Sequence, residues 1–169
     1  MALRVGISSQ AAAVSTAGTL DVSTRGGTTG LSTNTVQLVH ALTAVNDAPV
    51  LATGSITSTL NVSEDSGTTS LGLSGINYGA GGGADETSQS LSYVVTAIPS
   101  STLGTVVLAD GTTAVTNGGT YTLAQVQGMQ FKAAADASGS GTFTFKVVDD
   151  GGTANSGADT LLNQSVTIT

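Results

Sequence analysis

The sequence contains no cysteine and no tryptophan, and only 4 of its 169 residues are lysine or arginine. The missing thiols exclude disulfides, thiolate metal sites and a cysteine nucleophile. An exported domain without disulfides needs another source of rigidity, and bound calcium is one such source. The basic residues Arg4, Arg25, Lys132 and Lys146 are scattered, and the formal net charge is −7. Nothing in such a chain could neutralise a row of phosphates, so nucleic acid is excluded as a partner. Anionic membrane surfaces are disfavoured on the same ground. No apolar run approaches the ~20 residues that a membrane-spanning helix needs, so membrane insertion is not expected. The opening MALRVGISSQAAAV lacks the apolar core of a signal peptide. Export is therefore expected to rely on a signal elsewhere or on one already removed.

Enzymatic machinery is also missing. His40 is the single histidine, and no cysteine accompanies it as a nucleophile, so a catalytic triad is not expected. The aromatic residues are three Tyr and three Phe, too few for the platforms that usually support glycoside hydrolysis. The glycines of GAGGGAD (79–85) are followed by no lysine, so they are not a phosphate loop. NVS (61–63) and NQS (163–165) match the N-glycosylation sequon.

What is abundant is Gly, Thr, Ser, Ala and Val, a composition suited to short strands and glycine-bearing turns. From residue 56 onward, alternating apolar positions recur between turn signals. ITSTLNV (56–62), TSLGLSGI (69–76), SLSYVVTAI (90–98), GTVVLADG (104–111), GTFTFKVVDDGG (141–152) and TLLNQSVTIT (160–169) each read as strands. NGGTYTLAQVQGMQFKA (117–133) reads as two strands around one helical turn. This period-two alternation predicts an all-β sandwich of about seven strands over residues 50–169. Asp110-Gly111 reads as a turn and Asp136 as a loop cap.

Residues 1–45 are too few to close a core. LRVGI (3–7), GTLDV (18–22) and TVQLVHALTAV (35–45) read as strands. GTLDVSTRGGTTG (18–30) resembles FTFKVVDDGGTAN (143–155) at an offset of 125, and NTVQLVHALT then lies over DTLLNQSVTI. Residues 1–45 are thus expected to be a partial β segment, 46–49 a linker and 50–169 a full module.

LTAVNDAPV (42–50), VSEDSG (62–67), FKAAADASGSGTFTFKVVDDGGTAN (131–155) and SVTIT (165–169) together resemble the cadherin-like tandem repeats of large bacterial surface adhesins. The resemblance implies a Greek-key, Ig-like or cadherin-like sandwich and an extracellular location. It also implies calcium at the joints between modules, neighbouring copies of the module as partners, and a stalk or adhesive role.

Calcium is also reached from the residues. Successive strands of a sandwich alternate in direction, so turns alternate between two poles. The linker Asn46-Asp47, the loop with Asp85 and Glu86, and the hairpin with Asp149 and Asp150 all fall at the pole where the chain enters. Like charges gathered there repel, and a hard cation with 6–8 oxygen ligands would hold them. Pro49 stiffens the linker by restricting φ. Glu64 and Asp65 fall at the opposite pole and would serve a following joint. The plainer reading of each pair is a turn or a solvated loop.

Three functions follow: a calcium-stiffened structural or adhesive module, a filament subunit whose residues 1–45 complete a neighbour by β-strand addition, and a carbohydrate-binding module for surface glycans.

Overall fold

Phe143, Phe145 and Val147 alternate with polar residues along Gly141–Asp149, and all three are buried. A strand with this pattern hides one face, and β-branched and aromatic residues suit it. The structure, a computed structural model, describes residues 41–169. The strands expected at 3–7 and 18–22, most of that at 35–45, His40 and the first copy of the internal repeat lie outside the described residues. Residues from Thr43 onward form one unit.

Its strand segments are β1 (Val50–Thr53), β2 (Thr59–Leu60), β3 (Thr68–Ser70), β4 (Asn77–Gly79), β5 (Leu91–Ala97), β6 (Gly104–Val107), β7 (Thr120–Tyr121), β8 (Gln130–Ala133), β9 (Gly141–Asp149) and β10 (Thr160–Ile168). One short helix, α1 (Leu123–Gln127), lies between β7 and β8. The unit is all-β in class, as the alternation predicts. β2, β10, β9, β5 and β7 form one sheet in that order, and β3, β8 and β6 form another. β1 pairs with β4 as a separate ribbon. β10 runs parallel to β2 and antiparallel to β9.

Inward residues of both larger sheets meet in one core. Tyr93, Val95, Phe143, Phe145, Val147, Val166 and Ile168 come from the five-stranded sheet, and Val106 and Phe131 from the three-stranded one. Burying each such side chain contributes about 1.5–3 kcal/mol. Leu71 and Leu73, expected on a strand, are fully buried although β3 ends at Ser70. Gly72 turns the chain between them with φ +73.

Ten strand segments stand where the sequence suggests about seven. ITSTLNV condenses to the two paired residues of β2, while Val50–Thr53 pairs with Asn77–Gly79 outside the larger sheets. The helical turn is where the sequence puts it. Thr122 caps α1 in a reciprocal capping box with Gln125, which satisfies two backbone donors.

β9 spans the unit from pole to pole, roughly 26 Å at ~3.3 Å per residue. Its last residue, Asp149, lies at the entry pole beside the linker. Its first, Gly141, pairs with Ile168 at the exit pole.

Candidate functional site

The alternation of β9 has a consequence at its end. Asp149 shares the inward face of Phe143, Phe145 and Val147 and is only 5% exposed. A second carboxylate is buried nearby in the chain's architecture. The glycine run 81–83 leads into a 3₁₀ turn, Ala84–Glu86, whose last residue is 3% exposed. The loop that carries Asp85 and Glu86 is therefore folded over an acidic side chain.

Both carboxylates are tied to consecutive residues of the linker. The Asn46 Nδ2 group donates to Asp149 Oδ1 at 2.9 Å and to the Ala158 carbonyl at 2.7 Å. Asn46 Oδ1 accepts from Gln89 Nε2 at 2.6 Å, and its carbonyl accepts from the Ala158 amide at 2.8 Å. The Asp47 amide donates to Glu86 Oε1 at 2.7 Å. Two acceptors flank Asn46 Nδ2 and a donor faces its oxygen, so the network sets the amide orientation. Pro49 is buried, and the linker is docked along its length.

Close approach of backbone makes this possible. A Cβ at Gly151 would collide with Asn46 Oδ1 and Gln89 Nε2, one at Gly82 with the Glu86 carboxylate, and one at Gly81 with the Ala48 carbonyl. The glycine-rich composition of both loops is thus a packing requirement at these positions.

Three buried acceptors in this clasp have no hydrogen-bond partner: Glu86 Oε2, Gln89 Oε1 and Asp149 Oδ2. Glu86 Oε1 takes the Asp47 amide, and Asp149 Oδ1 takes Asn46 and the Gly151 amide at 2.9 Å. The second oxygen of each carboxylate is left over. An unpaired buried polar atom costs about 1–3 kcal/mol, and more when charged. Two carboxylate oxygens and one amide oxygen are hard donors of the kind calcium takes. Among the described residues no group of three or more His, Cys, Asp or Glu side chains is gathered as a metal site. The donor set is instead two carboxylates completed by amides.

The expected ligands divide. Asn46, Asp47, Glu86 and Asp149 are brought together, Asp47 through its backbone amide. Asp150 is exposed, and its Oδ1 accepts the Ser90 amide at 3.0 Å. Asp85 is exposed, with Oδ1 folded toward Gly83. Glu64 and Asp65 are exposed, and Glu64 lines a cavity with Ile168 and Thr169 at the exit pole. Gln89 was not singled out from the sequence. Its position three residues after Glu86 is the one local signal, since the turn hydrogen bond from the Gln89 amide to the Glu86 carbonyl puts both on the same loop.

Burial raises the pKa of both Tyr78 and Tyr93, with Tyr93 adding to the effect on Tyr78. Tyr78 donates to Gln164 Oε1 at 2.9 Å, and both rings pack in the core. Comparison with known proteins returns no match to a family model, a curated protein or a solved structure.

Proposed function

We propose that the unit from Thr43 to Thr169 is a structural module of an extracellular bacterial surface protein, joined in series to copies of itself and stiffened by calcium at its entry pole. Its role is mechanical or adhesive and not enzymatic. The observation that carries this reading is the set of orphaned buried oxygens on Glu86, Gln89 and Asp149, residues whose other polar atoms are hydrogen-bonded to the linker that would join one module to the next. Those three residues would hold the ion, with water completing its shell. The ion supplies positive charge where the fold leaves acceptors without donors.

The finer architecture is read as a seven-strand Greek-key sandwich of the Ig or cadherin type. The order β2–β10–β9–β5 supports it as an A′-G-F-C sheet, and β3–β8–β6 as the B-E-D sheet. The parallel β2–β10 pair is the A′-G contact of that scheme. β7 then extends the first sheet, and the β1–β4 ribbon lies outside the count.

A thermal melt of the full chain in calcium, in magnesium and in chelator tests the reading, with calorimetric titration beside it. Calcium is expected to raise Tm above the other two conditions and to bind with measurable heat. Identical melts and a flat titration would remove the ion from the proposal.

A further inference from the structure

At the exit pole a cavity of about 330 Å³ opens between β10, β8 and the connections around them. Val62, Leu103, Phe131, Ala133 and Ile168 form its apolar lining, and Glu64 stands among the polar residues. We propose that this slot seats one valine, the first residue of the chain that continues from β10 into a following copy of the module. The proposal rests on the tandem reading above, and it adds an apolar lock at the opposite pole from the ion.

Strand register is the first argument. The Thr169 amide donates to the Leu60 carbonyl at 2.9 Å, and the Val62 amide donates to the Thr169 carbonyl at 2.8 Å. The strand is thus held in place up to a residue that itself lines the slot. A residue joined to Thr169 must leave along the slot's edge. Side chains alternate along a strand, and Val166 and Ile168 point inward and are buried. Position 170 would therefore face inward too, directly after Ile168 on the same face.

The internal repeat identifies what stands there. At the offset of 125, Thr43 corresponds to Ile168, Ala44 to Thr169, and Val45 to position 170. An apolar side chain falls where the alternation requires one. Val45 is 42% exposed and directly precedes the clasped Asn46. In the following copy, Asn and Asp would then leave the slot and enter that copy's own clasp. The lining suits this occupant. A charged side chain would be desolvated on such a floor. A sugar would lack a platform, since Phe131, the aromatic present, is 1% exposed and packed within the core.

The test extends the full chain at Thr169 by Val-Asn-Asp-Ala-Pro or by Gly-Asn-Asp-Ala-Pro and compares the melts in chelator. The valine extension is expected to melt about 3 °C higher. The difference should vanish when Leu103→Ala removes part of the lining. Equal melts overturn the proposal, as does a difference that survives Leu103→Ala, because the valine would then pack elsewhere. Methyl NMR of the two extended chains gives a second readout. Shifts confined to Val62, Leu103 and Ile168 support the slot, and unchanged spectra there overturn it. The calcium increment of the unextended chain is read separately. If it persists while the extensions melt alike, the slot alone fails; if both vanish, the tandem reading fails with it.

Discussion

Asp110, in the turn after β6, and Asp149, the last residue of β9, each stand within two residues of a glycine, yet they spend their carboxylates differently. At Asp110, Oδ1 accepts the amides of Thr112 and Thr113 at 2.8 Å each, and Oδ2 accepts the Thr113 hydroxyl. That turn saturates its own acid with local donors and stands in solvent. At Asp149, one oxygen accepts from Asn46 and Gly151 while the other is buried with no donor. The contrast shows that an aspartate just ahead of a glycine turn has two outcomes. Where the carboxylate ends in water, the turn completes itself. Where a docked linker covers it, an acceptor is left without a donor.

The comparison can be broken most forcefully at Asp149. Asp149→Ala removes the buried acceptor of two part-buried hydrogen bonds and is expected to cost about 3 kcal/mol in urea unfolding, whereas Asp110→Ala should leave the calcium response intact. Removing calcium comes next. With the ion at 100 times its Kd, binding contributes about 2.7 kcal/mol, so chelation should lower Tm by several degrees in a differential scan. Glu86→Gln sharpens this. The amide oxygen can keep the Asp47 contact while the charge is lost, so the chelated melt should hold while the calcium increment collapses. Should Glu86→Gln retain the full increment, Glu86 is not a ligand.

Gly151→Ala has a smaller expected effect, about 1–2 kcal/mol. Its Cβ displaces the ends of Asn46 and Gln89, both flexible, so the clasp loosens and the core survives. Linker amides 46–48 should then exchange faster with deuterium while those of β9 stay protected.

The smallest effect concerns acid. Hydrogen bonds from the Thr113 side chain and then from the Thr113 and Thr112 amides hold the Asp110 pKa at about 2, below its ordinary 3.8. A depressed folded value means the stabilisation is present above the unfolded pKa and is lost as pH falls through the folded one. Asp110→Asn should therefore flatten the acid slope between pH 3.8 and about 2. Carboxyl-carbon NMR should show Thr113→Val moving the Asp110 midpoint upward.

Much of the fold was legible beforehand. The strands around Tyr93–Val95, Phe143–Val147 and Val166–Ile168 follow from alternation, a local property. So does the capped turn at Thr122. The β1–β4 ribbon was not legible, because VLAT and NYG gain strand geometry only by pairing with each other across the intervening chain. At the site, Asn46, Asp47 and Asp149 could be assigned to one pole by counting strand reversals. Choosing between Asp85 and Glu86 could not be done this way. Neighbours in sequence, one is exposed and the other is 3% exposed.

By itself, then, the sequence determined the β class, the two poles and the absence of cysteine chemistry, since side-chain periodicity and composition are written residue by residue. Tertiary structure alone decided which oxygens are buried and left without donors, and that Gln89 joins them. Satisfaction of a polar atom depends on whatever distant segment covers it, and here the cover is the linker, 39 to 112 positions away from the groups it meets.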